Sequence, residues 1–592
     1  MAQQNRSSRF LWFIRAIGMV ALLSVSSLPV HSVGAANTDV DAEYRDPNET
    51  REGYQIVILK DRMPLGDFSF LMSGGSGGWG QTCTSLSDPS CASARGSLRY
   101  VALLPPCTAP SQLDCIAELG SVGADGSRTP GSFSRYFPTS GRHDFSGDAN
   151  LFLPTGAPPS MWTLPAVPHG AGSSYFVKVG VQGQENGSTN GGFKTTDFSI
   201  EITPAVIVRD PNVPIGGRPN GHGQDSDDDR PGFYELPIGE PKEDENGNQL
   251  PISTRIGLAG YGGNNFFDCL LGAEAQCVKR ESFPGDVTLY IKVRLTSSPK
   301  GWLHGRISEP NVAITPIAGT KSGVEIAIQA KTVRVPVVAT STAFTDLPGP
   351  LQQAYSATGG FNGASAGTRR RGSNNLAAES PEVRNAISSP SSFSTTGMNE
   401  LIAWIPYIQD TATANVSKWT VRSLSDSEMQ SAGQCLTNNQ QLNGLVMTNA
   451  TQYSSGPPTF NRAEGSLNYQ VAAPHYTSGG NVFLGTYDLI MRSEVARCIY
   501  GFSKAPLNAS ISVIDNEGVT TTATKLVSER DGWLRIAAYG FGFSNPMIKV
   551  KLTQSSSKVG VAKKTTIVCK KGKLTRRVAG NAPRCPSGYR KV

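Results

Sequence analysis

Three arginines, Arg6, Arg9 and Arg15, precede an apolar run from Ala16 to about Val30, which gives way to the small-residue segment Val33-Gly34-Ala35-Ala36. Basic, then apolar, then small is the order of a secretory leader cleaved after Ala35 or Ala36. An uncleaved anchor needs about 20 clean apolar residues, whereas Ser24, Ser26, Ser27 and Pro29 interrupt this run. Residues 1–36 therefore read as a signal peptide, and the remaining chain is expected to fold under oxidising conditions.

Those conditions give the cysteines their meaning. The ten cysteines fall into local pairs: Cys83 with Cys91, Cys107 with Cys115, Cys269 with Cys277, Cys435 with Cys498, and Cys569 with Cys585. An even count in an exported chain reads as disulfides, and sequential pairing is the simplest of several open connectivities. By the chain-entropy estimate each short loop contributes about 2–3 kcal/mol and the long one about 4. Structural zinc calls for Cys-x2-4-Cys and a redox centre for Cys-x-x-Cys. Neither spacing occurs.

Charged residues make up 17% of the chain, while glycine (64) and proline (39) are abundant. Soluble domains average about 25% charged, and many short strands joined by turns produce the lower figure. The fold is expected to be mainly β: several antiparallel β-sandwich-like modules, immunoglobulin-like in their hairpin signature at Val513 to Thr520, joined by flexible linkers. A first β-rich module with two local disulfides spans 37–208, and an acidic linker spans 209–250. A sandwich module follows at 251–343, with apolar alternation in Tyr290 to Leu295 and in Val324 to Ile328. A Ser/Gly/Arg linker spans 344–396 and carries Arg369-Arg370-Arg371; its composition predicts flexibility. The third β-rich module is 397–554, with a strand expected at Leu401 to Ile405 and either strand or helix at Thr486 to Ile499. Residues 555–592 read as a basic C-terminal hairpin closed by Cys569 and Cys585.

Four motifs invite chemistry. Ser73 to Gly80 contains Gly-x-Ser-x-Gly around Ser76, but a further glycine and a cysteine loop follow where a nucleophile elbow needs a helix; a glycine loop is expected. Asp225, Asp227 and Asp229 alternate as calcium ligands do, yet Arg230 stands at the sixth position and Leu236 at the twelfth, where an EF-hand loop wants Gly and Glu. A solvated acidic linker is the preferred reading and no cofactor is expected, with calcium as the weaker alternative. Gly301-Trp302-Leu303-His304-Gly305-Arg306 reads as a turn-rich join with a packed tryptophan and a hydrogen-bonded histidine, the alternative being a binding corner. His475 and Asp488 are the residue types of a hydrolytic triad, with no spacing that demands one.

Several segments together carry a resemblance: Pro474-His475, Val495 to Phe502, Gly532-Trp533-Leu534, Cys569 to Lys591, and Gly301 to Arg306. They resemble parts of large secreted proteins of aquatic actinobacteria, over about the second half of the chain. That group has no assigned activity, so the resemblance implies a bacterial cell-surface origin and no catalytic residue.

The last 35 residues hold eleven Lys or Arg and no acid. Lys563, Lys564, Lys570, Lys571, Lys573, Arg576 and Arg577 are the central candidates for anion binding. Subtracting the leader's +3 and the tail's +11 from the chain's +7 leaves −7 for the body, so the near-neutral average hides a dipolar charge layout. Outside a cell the anionic partners are wall polymers, lipid headgroups or DNA, and Tyr589 alone offers a base-stacking ring, against a specific nucleic-acid reader. The expected function is a secreted, noncatalytic cell-surface or envelope-associated protein, binding or structural, retained by its basic tail on anionic wall polymers. The alternative is a secreted hydrolase acting on polysaccharide through a pair of carboxylates.

Overall fold

The computed structural model describes residues 54–59, 69–75, 78–139, 144–187, 192–209, 276–356, 390–430, 432–437, 441–503, 507–514, 524–543, 547–554, 565–580 and 583–592, with short strands at 218–219, 234–235, 269–273, 368–370, 386–388 and 520–521. Residues 1–36 and Asp225, Asp227 and Asp229 lie outside these residues, as do Ser76, Lys563 and Lys564.

The fold is mainly β, built from several sheets that are largely antiparallel. Period-two alternation places the strands as expected: Thr288–Leu295 and Val324–Lys331 pair with Ile291 opposite Ile328, each burying one row and wetting the other. The sheets cut across the boundaries read from composition. Phe193–Arg209 pairs with Thr420–Ser423, which pairs in turn with Gly301–Arg306, so all three β-rich segments share a fifteen-stranded sheet. Cys115–Val122 likewise pairs with Thr288–Leu295, Leu119 opposite Ile291. The cost of closing a long loop grows only slowly with its length, so partners need not be sequence neighbours.

Two cores result. In the first, Val177, Val179, Ile200 and Val421 of the large sheet meet Leu119, Leu289, Ile291, Ile326 and Ile328 of a five-stranded sheet. Trp419 is fully buried there, and its indole N–H donates to the Ala330 carbonyl at 3.0 Å, tying the two sheets together. In the second core, Tyr487, Leu489, Leu534 and Ile536 of the large sheet meet Val471, Ile511, Val513, Ile548 and Val550 of a six-stranded sheet.

Gly301–Arg306 is not a turn-rich join. It is an interior strand, antiparallel to Thr420–Ser423 and parallel to Leu442–Thr448, with every residue buried. Trp302 faces the second core and Leu303 the first, as do Val446 and Leu445 on the neighbouring strand. A strand covered on both faces shows no polar alternation, which is why its sequence does not look like one.

Two further expectations change. Leu401 to Ile405 is not a strand: the helix Thr395–Trp404 runs through it, capped by Ser394 Oγ accepting from the Gly397 N–H at 2.9 Å. Part of the 344–396 linker is packed, since Phe344, Leu347, Leu351 and Tyr355 recur at three- and four-residue steps and join that helix in a third core. At Thr486 to Ile499 the strand Leu484–Arg492 runs directly into the helix Ser493–Tyr500, so both periods are present in turn.

Glu400 sits fully buried on the helix Thr395–Trp404. Its carboxylate accepts from the Tyr355 hydroxyl and from Ser388 Oγ, the latter at 2.8 Å, while Trp404 Nε1 donates to the Tyr355 oxygen at 2.8 Å. Burial raises its pKa to about 7, with the two hydroxyls pulling the other way. A carboxyl whose pKa is higher folded than unfolded stabilises fully below the unfolded value and loses that contribution as pH rises through the folded one. Stability should therefore fall between pH about 4.5 and about 7, by at most about 3 kcal/mol at 1.36 per unit. Chemical denaturation of Glu400→Gln across that range should show the slope removed.

Candidate functional site

The basic tail folds into a three-stranded sheet, Leu574–Gly580 and Arg590–Lys591 flanking Thr565–Lys571. Beta-branched Thr565, Thr566, Ile567 and Val568 suit the central strand. Gly572, in the left-handed region at φ 55°, turns the chain into the second strand. Ile567 and Cys569 are its buried residues, and Cys569 is bonded to Cys585 across a separation of 16 residues. So small a core stabilises little, and the crosslink contributes about 3 kcal/mol by loop entropy.

Cross-strand partners share a face, which sorts the cations. Lys570 lies opposite Arg590 on one neighbouring strand and Thr575 on the other, while Arg577 lies opposite Val568, two residues along. Lys570, Arg577 and Arg590 therefore occupy one face. Arg576 and Lys591 flank Cys569 on the other, with Lys571 two residues on. These six, with Lys573 and Arg584, are exposed, and among the described residues none forms an ion pair with a carboxylate. Like charges directly opposite on adjacent strands repel. The sheet thus holds unneutralised charge in fixed positions, an arrangement that an anion lying across the strands would relieve.

Two other motifs, both among the described residues, resolve into packing. His475 and Asp488 do not meet as a triad. The His475 N–H donates to Asp410 at 2.7 Å and its ring Nδ1 lies 2.7 Å from the Phe543 carbonyl oxygen. Asp488 is buried and accepts from Tyr539 at 2.6 Å, from Arg535 at 3.2 Å and from the Glu309 N–H at 3.3 Å. Burial raises its pKa against those partners. With both oxygens engaged, Asp488 ties three strands together and offers nothing to substrate.

Gly301 to Arg306 is likewise closed to solvent. Trp302 Nε1 donates to the Leu436 carbonyl at 3.0 Å, and His304 stacks on Tyr453 with ring centroids 4.0 Å apart. Arg306 donates to the Thr448 and Ala450 carbonyls at 2.9 and 2.6 Å and lies 4.7 Å from the centre of the same tyrosine ring. Beside it Arg422, the cross-strand partner of His304, grips Glu428 through two bonds of 2.7 and 2.8 Å and reaches the Tyr453 hydroxyl at 3.1 Å. These polar groups are those of a binding corner, turned inward as structure. Neither Arg422 nor Glu428 was among the expected site residues; the local signal for Glu428 was Ser425 three residues before it, a capping box.

The disulfides Cys83–Cys91, Cys107–Cys115, Cys435–Cys498 and Cys569–Cys585 are formed as sequential pairing expects. Cys277 is also disulfide-bonded, and the side chain of Cys269 lies outside the described residues. Among the described residues no cluster of three or more His, Cys, Asp or Glu side chains is placed to hold a metal ion, and no helix is long and apolar enough to cross a membrane. No protein-family model, curated protein or solved structure matches the chain.

Relieving the Lys570–Arg590 repulsion has a sign that distinguishes charge held for binding from charge held for stability. Lys570→Thr should stabilise the tail sheet by about 0.2–1 kcal/mol at low salt, with the gain vanishing above about 1 M salt, where screening reaches 3 Å. Amide exchange across residues 565–580 measures it.

Proposed function

We propose that the chain is a secreted, noncatalytic, envelope-associated β-rich protein, a binding or structural component held by its basic C-terminal sheet on anionic wall polymers. One observation carries the reading: eight exposed cations on a small disulfide-closed sheet, in the final 35 residues that contain no acid. A flexible basic arm would bind anions too, but must give up conformational freedom each time it does so. Here the disulfide and the strand pairing have fixed the backbone beforehand, which is the usual route to affinity by preorganisation.

The body fits the same reading. Its charge of about −7 after removal of the leader and tail would repel an anionic surface, so contact is concentrated at one end. The disulfides suit an extracellular setting, and the resemblance to secreted actinobacterial proteins agrees with a wall as the partner. Among the described residues, the candidate triad and the Gly301 to Arg306 motif contribute no assembled catalytic group to weigh against it.

Fractionation of producing cells tests the proposal. The full chain should sediment with the envelope and come off in a salt wash, while a chain truncated before Lys558 should go to the medium. Equal release of both forms would refute retention by the tail.

A further inference from the structure

The outer face of the five-stranded sheet carries a second site, remote in sequence from the tail. A depression of about 80 Å³ opens there, lined by Arg128, Tyr290, Lys292, Asn311 and Gln329 above a floor that includes Ala313 and Ala327. The register explains it. Tyr290, Gln329 and Asn311 stand side by side across three strands, and the next row is Lys292, Ala327 and Ala313. Two alanines beside long side chains leave the hollow. Gly120 stands opposite Tyr290 on the fourth strand, and a Cβ there would come within 2.7 Å of the tyrosine ring, so only glycine lets that ring lie down on the sheet.

The lining is one-sided in charge: two cations, two amides and no carboxylate. Lys292 is paired with Glu118 at 2.7 Å, on the side away from Ala327. Arg128 is exposed, and both its partners are neutral: Gln329 Oε1 accepts from it at 2.9 Å, and Tyr290 lies beneath it with the ring centre 4.8 Å away. The guanidinium is thus held in place with donors to spare. The Asn311 side chain is exposed and, among the described residues, has no hydrogen-bond partner, and the Gln329 NH2 is likewise uncommitted.

We propose that this face binds an acidic polysaccharide, with one uronate carboxylate seated against Arg128 and neighbouring hydroxyls met by Asn311 and Gln329. The volume admits one such group and not a whole ligand, since enclosed small-molecule sites run to about 300 Å³ or more; the rest of the chain lies on the open sheet. A planar guanidinium matches a carboxylate through parallel N–H bonds, and an amide can donate to one hydroxyl and accept from another. Strand addition by an extended peptide would use the edges of the sheet, Ser308–Pro316 or Arg128–Pro130, and would not cover the hollow, because Thr288–Leu295 and Val324–Lys331 beneath it each already have a neighbour on both sides. A nucleic-acid base finds no free ring face, since Tyr290 lies between Arg128 and Gly120.

This site stands independently of the tail, and the experiment keeps the two apart. Tetragalacturonate, cellotetraose and inorganic polyphosphate are titrated calorimetrically into the full mature chain, into Arg128→Gln, into Asn311→Ala, and into a tail variant with Lys570, Arg577 and Arg590 all changed to Gln. Tetragalacturonate should bind the wild type and the tail variant alike, about tenfold or more weaker to Arg128→Gln, and measurably weaker to Asn311→Ala, as expected for loss of a charge-assisted and a neutral hydrogen bond respectively. Cellotetraose should not bind, and polyphosphate binding should follow the tail. Because the Asn311 side chain makes no hydrogen bond among the described residues, its variant keeps the test valid should Arg128→Gln disturb Tyr290; unchanged melting temperatures verify the fold. Absence of tetragalacturonate binding, equal binding of cellotetraose, or a loss confined to the tail variant would overturn the proposal.

Discussion

The architecture depends on a strand that has no wet face. Gly301–Arg306 lies between two cores, with Trp302 on one side and Leu303 on the other. Full burial of such side chains is worth about 1.5–3 kcal/mol each, but the same strand also brings His304 and Arg306 out of water. A buried cation is tolerated only when its donors are met. The Thr448 and Ala450 carbonyls and the Tyr453 ring meet part of that need for Arg306, and Glu428 meets it for the neighbouring Arg422. The polar cluster thereby fixes the register of three strands, since a one-residue slip would turn each charge into the opposite core. Removing one partner of such a pair costs about 3–5 kcal/mol because the other stays buried and charged.

The C-terminal sheet answers to the opposite constraint. Its cations are all exposed and its core is little more than Ile567 and a disulfide, so shape there comes from crosslinking and strand pairing instead of burial. Lys570 beside Arg590 is a local electrostatic conflict of the kind that marks functional surfaces, where a stability rule is broken without compensation from within the sheet. Charge is exposed at the tail and engaged by partners in the interior.

Much of the fold was legible in the sequence, because strand periodicity is local information. Val324 to Ile328 alternates, and the structure buries alternate residues. Cysteine pairs separated by 8 residues were equally legible, since a short loop closes on itself. Sheet order was not legible: nothing local to Ile200 says that Val421 will lie opposite it. Gly301 to Arg306 was misread because burial on both faces erases alternation, and the helical spacing of Phe344, Leu347, Leu351 and Tyr355 was masked by the polar composition around it. At the candidate sites, the tail was visible as net charge, while its division into two faces required the register. The hollow beside Arg128 was invisible, since its walls come from residues about 200 positions apart.

The account stands on the claim that cations fixed on one face of the C-terminal sheet hold the protein to an anionic wall. Binding of the chain from Asn37 onward to isolated cell walls, measured across a range of salt concentrations, tests that most directly. Log affinity should fall linearly with log salt, and replacing Lys570, Arg577 and Arg590 together with glutamine should lower the steepness by about one unit for each contact removed. An affinity indifferent to salt, or a slope unchanged in the triple variant, would contradict it.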